Sequence, residues 1–142
     1  MADGYRFVAD CFAVEAGDDA ETNPGRSGRQ LGQWLVEQLG PLGYSDVEMQ
    51  PDDWGWRVIC RRQPFPLWIG CGNVDAKPVA TEGPSAKNRP VWHCFVVAEP
   101  GWTICWFKAS QVEEERDALD QRLARLLRET PGIRLLAESE AP

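Results

Sequence analysis

Six of the seven tryptophans crowd between residues 54 and 106, in short apolar pieces: Asp53-Trp54-Gly55-Trp56, Leu67-Trp68-Ile69-Gly70-Cys71-Gly72-Asn73, Val91-Trp92-His93-Cys94-Phe95 and Gly101-Trp102-Thr103-Ile104-Cys105-Trp106-Phe107. Each indole takes a large apolar area out of water and brings an N–H that wants an acceptor when buried. Such a density dictates one of two things, a heavily aromatic core or an aromatic binding surface. The pieces have the length and the Gly and Pro punctuation of strands, so the middle of the chain is expected to be a sheet.

Hydrophobic spacing predicts the elements around it. Tyr5 to Val14 reads as a first strand, apolar on both faces. Asn23-Pro24-Gly25 marks a turn, and Ser27 with Gln30 makes a capping box ahead of a helix over 27–42, with Leu31, Trp34, Leu35, Leu39 and Leu42 as its stripe. Tyr44 to Met49 reads as a second strand and Gln50 to Asp53 as a turn. A third strand carries Trp54, Trp56, Val58 and Cys60 on one parity and Arg57, Ile59 and Arg61 on the other. Leu67 to Gly72 is a fourth. Residues 73–89 are polar and aperiodic, a long loop of the kind that is often functional. Pro90 to Ala98 and Trp102 to Phe107 form a hairpin. A second capping box, Ser110 with Glu113, opens a helix over 110–129 with Val112, Leu119, Leu123, Leu126 and Leu127 buried. Ile133 to Ala137 adds a last short strand.

The expected class is α+β, one domain over 1–142: an antiparallel sheet of five to seven strands with two long helices packed on one face. Six or seven strands at about 4.8 Å each make roughly 30 Å of sheet, whereas two helices at about 10 Å each cover roughly 20 Å. The second face must therefore curl on itself, take the 73–89 loop as a cap, or meet a partner, including a second copy of the chain.

The net charge of −7 is unevenly spread. Residues 1–53 hold eleven acids against three bases, residues 54–110 three against seven, and the remainder eight against five. An acidic whole argues against nucleic acid as a partner, which would demand a basic footprint. The basic middle coincides with the tryptophans and leaves room for an anionic ligand. No apolar run approaches a membrane span, and the acidic N-terminus lacks the pattern of a signal peptide, so the expected location is cytoplasmic, away from membranes. Five cysteines, an odd number, each sit inside an apolar run, the pattern of reduced core thiols. Neither C-x2-C nor H-x3-H spacing occurs, so no metal site is expected, and no cofactor fingerprint is present.

The chain resembles a family of small uncharacterised bacterial proteins. The resemblance rests on Glu21-x-Asn23-Pro24-Gly25 before a helix with Trp34-Leu35, then Asp53-Trp54-Gly55-Trp56, Trp68-Ile69-Gly70-Cys71-Gly72-Asn73 and Trp92-His93-Cys94-Phe95-Val96. It implies a shared fold and assigns no activity.

The candidate site follows from these pieces. Trp54, Trp56, Trp92 and His93 are expected to share one concavity or a homodimer interface, with Asn73 beside them and Arg57 and Arg61 near the rim for an anionic group. Gly55 would admit a close group between two stacking indoles; the alternative is a strand entry whose aromatics fill the core. Gly70-Cys71-Gly72-Asn73 lacks the register of a nucleotide cradle. The preferred expectation is a small binding protein holding a small molecule or a partner protein, inhibitor or immunity proteins being one subclass. The alternative is a small hydrolase or isomerase using His93 with Glu21 or Asp53, or Cys94 as nucleophile.

Overall fold

The computed structural model describes residues 4–10, 12, 22, 27–44, 46–63, 65–74, 91–99 and 109–136. In chain order these form β1 (Tyr5–Ala9), α1 (Arg29–Leu39) running into a 3-10 turn (Gly40–Leu42), β2 (Glu48–Asp52), β3 (Gly55–Arg61), β4 (Leu67–Asn73), β5 (Trp92–Ala98), α2 (Ala109–Glu129) and β6 (Ile133–Leu135). The strands make one six-stranded sheet in the order β2-β3-β4-β5-β1-β6, and every pairing is antiparallel. This is the α+β class that the spacing predicts. The expected strand at 102–107 lies outside the described residues, as do Cys11, Cys105, Glu21 and the expected 73–89 loop beyond Val74; the first residue of that loop, Asn73, is instead the last of β4.

Two registers fix which side chains share a face. Trp56 pairs with Cys71 and Cys71 with Cys94, while Val58 pairs with Ile69 and Ile69 with Val96. On β1, Tyr5 lies opposite Cys94 and Phe7 opposite Trp92. All of these but Tyr5, which packs half-buried against them, enter one buried cluster together with Leu31, Leu35 and Leu39 of α1 and Val112, Leu119, Leu123 and Leu127 of α2. Both helices therefore lie on the same face of the sheet, α1 over β2–β4 and α2 over β5 and β6. Polar ties fix the second helix: Tyr5 Oη donates to Asp120 at 2.8 Å, and Arg122 donates to Tyr44 Oη at 2.8 Å.

Several boundaries differ from expectation, each for a local reason. The second strand is Glu48–Asp52, displaced toward the third, and it ends in a two-residue turn at Asp53 and Trp54. Pro51 is tolerated because, among the described strands, β2 is an edge strand, where a missing N–H costs no ladder bond. Ser27 does not cap α1. Gly28 occupies the cap position with no side-chain bond, and the Ser27 backbone N–H donates instead to Asn73 Oδ1 at 3.0 Å. Ser110 lies one residue inside α2, so it is no cap either. Leu42 falls in the 3-10 turn and is exposed, outside the α1 stripe.

Gly55 explains how the β2–β3 turn seats against β4. Its φ is +155°, and a Cβ there would stand 2.5 Å from the Cys71 carbonyl oxygen, a backbone atom that cannot step aside. The close group that Gly55 admits is thus the protein's own main chain. Gly55→Ala should cost about 1–3 kcal/mol of stability through strain at this contact, read as a lower urea midpoint with an unchanged slope.

Candidate functional site

The sheet face away from the helices carries the opposite parity: Arg57 and Ile59, Trp68, Gly70 and Gly72, His93, Phe95 and Val97, then Arg6 and Val8. Neither helix covers it. Its centre is Gly70, which pairs with Phe95. A Cβ at Gly70 would run into the Phe95 ring, so that ring lies flat over the bare glycine backbone. The Trp54 ring stands 5.4 Å from that of Phe95 and stacks on Trp68 at 6.0 Å, and the His93 ring lies 5.2 Å from Phe95. The result is a continuous aromatic group of Trp54, Trp68, Phe95 and His93, drawn from the β2–β3 turn and from β4 and β5.

Beside this group lies a hollow of about 330 Å³, bordered by Arg6, Trp54, Gly72, Asn73, Val74, His93 and Phe95. Arg6, His93 and Gly72 form one row across β1, β5 and β4. Gly72 contributes no side chain to that row, and a Cβ there would stand 3.0 Å from the Trp54 carbonyl oxygen, so the glycine lets the β2–β3 turn close over β4 beside the hollow. Trp54 and Phe95 supply the aromatic rings of the wall, and its polar members include a guanidinium and an imidazole.

Of the residues expected at one concavity, the structure brings together Trp54, Asn73 and His93, and places the others elsewhere. Trp56 and Trp92 are 5% and 0% exposed and belong to the helix-covered core. The reason is the turn: Trp54 sits in the hairpin loop, not on β3, so its ring swings to the face opposite that of Trp56. Asn73 borders the hollow, but its Oδ1 accepts the Ser27 N–H. Arg57 shares the aromatic face without reaching the hollow. Its Nε donates to Asp52 at 2.7 Å, and its guanidinium lies 4.7 Å over the Trp68 ring. Arg61 is not near the rim. A bulge between Ile59 and Arg61 re-aims it toward α2, where it pairs with Glu115 at 2.9 Å.

The catalytic alternative gains little from this geometry. Asp53 is an exposed turn residue whose N–H donates to Asp52 Oδ1. Cys94 is fully buried, and burial together with the adjacent Cys71 pushes its thiol well above the ordinary cysteine range. A nucleophilic cysteine needs the reverse, an accessible thiolate near neutrality. Among the described residues no group of three or more His, Cys, Asp or Glu side chains is placed to hold a metal ion.

Trp68, Phe95, Gly70, Gly72 and Arg6 were not singled out from the sequence as site residues. The alternation of Trp68, Gly70 and Gly72 in one strand, and of His93 and Phe95 in another, is a usable signal, since small residues opposite large rings mark a cross-strand fit. No family model, no curated protein and no solved structure matches the chain.

Proposed function

We propose that this chain is a small binding domain whose helix-free sheet face holds a small molecule in the hollow beside Phe95. The observation that carries this reading is the coincidence of a hollow walled by Trp54 and Phe95 with the sheet face that neither helix covers. Ligand sites combine apolar walls with a few convergent polar groups, and this hollow has both. A partner protein or a second copy would bury the same rings, but the concavity at Gly72 favours a compact guest over a flat surface.

The test uses 2-naphthylmethanol as a planar, uncharged probe in an amide-resolved NMR titration of the full chain. Shifts should concentrate at Gly72, His93, Phe95 and the Trp54 indole. Trp54→Ala should abolish them while the protein stays folded, because Trp54 is only half-buried. Shifts centred instead at the Tyr44, Arg61 and Arg122 hollow near the start of α2, or no binding at all, would sink the assignment.

A further inference from the structure

We infer that the guest of this hollow is a planar aromatic monocarboxylate, its ring against Phe95 and Trp54 and its carboxylate on Arg6. The inference rests on the binding reading above and adds the ligand's chemical class. Its strongest support is the state of Arg6. Arg57 meets Asp52, Arg61 meets Glu115, Arg62 meets Glu48, Arg122 meets the Tyr44 hydroxyl and Arg125 meets Glu129. Arg6 meets no carboxylate, hydroxyl or carbonyl through its side chain among the described residues, yet it borders the hollow.

Register makes this more than one exposed cation. Arg6 lies directly opposite His93 in the β1–β5 register, and both side chains border the hollow, so the guanidinium is aimed along the row that the hollow opens onto. An anion seated along that row would give the guanidinium a partner with the planar, two-oxygen geometry it matches best. The remainder of the guest must be flat and apolar. Phe95 is held over Gly70 and flanked by Trp54 and His93, which leaves ring faces and edges as the surface on offer. At about 330 Å³ the hollow is at the small end of ligand sites, which fits a one- or two-ring body. One unpaired guanidinium balances one negative charge, which favours a carboxylate over a phosphate dianion.

Isothermal titration calorimetry with 2-naphthoate and its uncharged counterpart 2-naphthylmethanol tests this directly. Wild type should bind the acid about tenfold more tightly than the alcohol, the value of one charge-assisted pair at a partly exposed site. Arg6→Gln should erase that advantage and leave the affinity for the alcohol unchanged. Arg6→Lys should restore part of it, and Arg62→Gln should change nothing. Arg6 is exposed on its strand, so a thermal melt should show these variants folded. Equal affinity of wild type for both probes, or an advantage that survives Arg6→Gln, overturns the carboxylate assignment. In that case, loss of both probes in Trp54→Ala would still uphold the aromatic binding face. If neither probe binds wild type, both the assignment and the binding reading fall.

Discussion

Trp92→Ala is expected to lower the free energy of unfolding by about 3–5 kcal/mol, the range for removing a large aromatic from a core that only partly collapses around the space. Trp92 is 0% exposed, faces Phe7 on β1 and belongs to the cluster that takes the stripes of both helices. In a domain of this size each kcal/mol is worth about 3 °C, so the melting temperature should fall by about 10–15 °C. Trp54→Ala should cost much less, since Trp54 is half-buried at a turn and its contacts are with other rings on the helix-free face. The contrast separates core from site within one class of residue. A further variant sharpens it. The Trp92 Nε1–H is buried and has no acceptor among the described residues, and an unmet donor is a cost to the fold. Trp92→Phe keeps most of the packing and removes that donor, so it should lose well under half of what Trp92→Ala loses. Comparable losses for Trp54→Ala and Trp92→Ala in urea melts would mean that the aromatic face is core as well, and the binding reading would lose its main support.

The two tryptophans of Asp53-Trp54-Gly55-Trp56 also show what the sequence makes legible and what it hides. The existence and type of most described elements follow from spacing: Leu31, Leu35 and Leu39 make one helical stripe, and the buried–half-buried alternation of Trp92 to Val97 makes one strand face. Turn position is less legible, and here it decides the site. Putting Trp54 on the strand assigns it the parity of Trp56; in the fold Asp52 pairs with Gly55, Trp54 becomes a loop residue, and the two indoles part to opposite faces. The bulge at Arg61 has the same effect, because one extra residue re-aims every inference from alternation beyond it. Pairing between strands is the least legible of all. The row of Arg6, His93 and Gly72 joins positions far apart in the chain, and no feature of any single segment announces that β1 returns to pair with β5. The sequence could therefore point to an aromatic face beside His93, but Arg6 entered only with the register.

The buried thiols make the protein's response to alkali a second large effect. Burial pushes Cys60 up to about 12, against a smaller opposing pull from Arg61, and pushes Cys71 up to about 12; Cys94 is raised by burial and by Cys71 beside it. In the unfolded chain a thiol ionises near pH ~8.5. Below that value both states keep the proton, and the stability from burying the neutral thiol is fully present. Above it the unfolded chain releases the proton and the folded chain does not, so each such thiol costs about 1.4 kcal/mol per pH unit until the folded value is reached. Three of them together give a slope of about 4 kcal/mol per pH unit from about pH 9 upward, steep enough to consume an ordinary domain stability of about 5–15 kcal/mol within a few pH units. Tyr5, raised to about 12 by burial and by its bond to Asp120, adds to the fall in the same direction. Urea melts under reducing conditions from pH 8 to 11 should show this decline. In Cys60→Ala the slope should drop by about one thiol's share, whatever the substitution does to stability at pH 8. A flat profile would mean that these thiols ionise in the folded state. That outcome would reopen a reactive role for Cys94, because the steep decline and a neutral-pH thiolate demand opposite environments at the same sulfur.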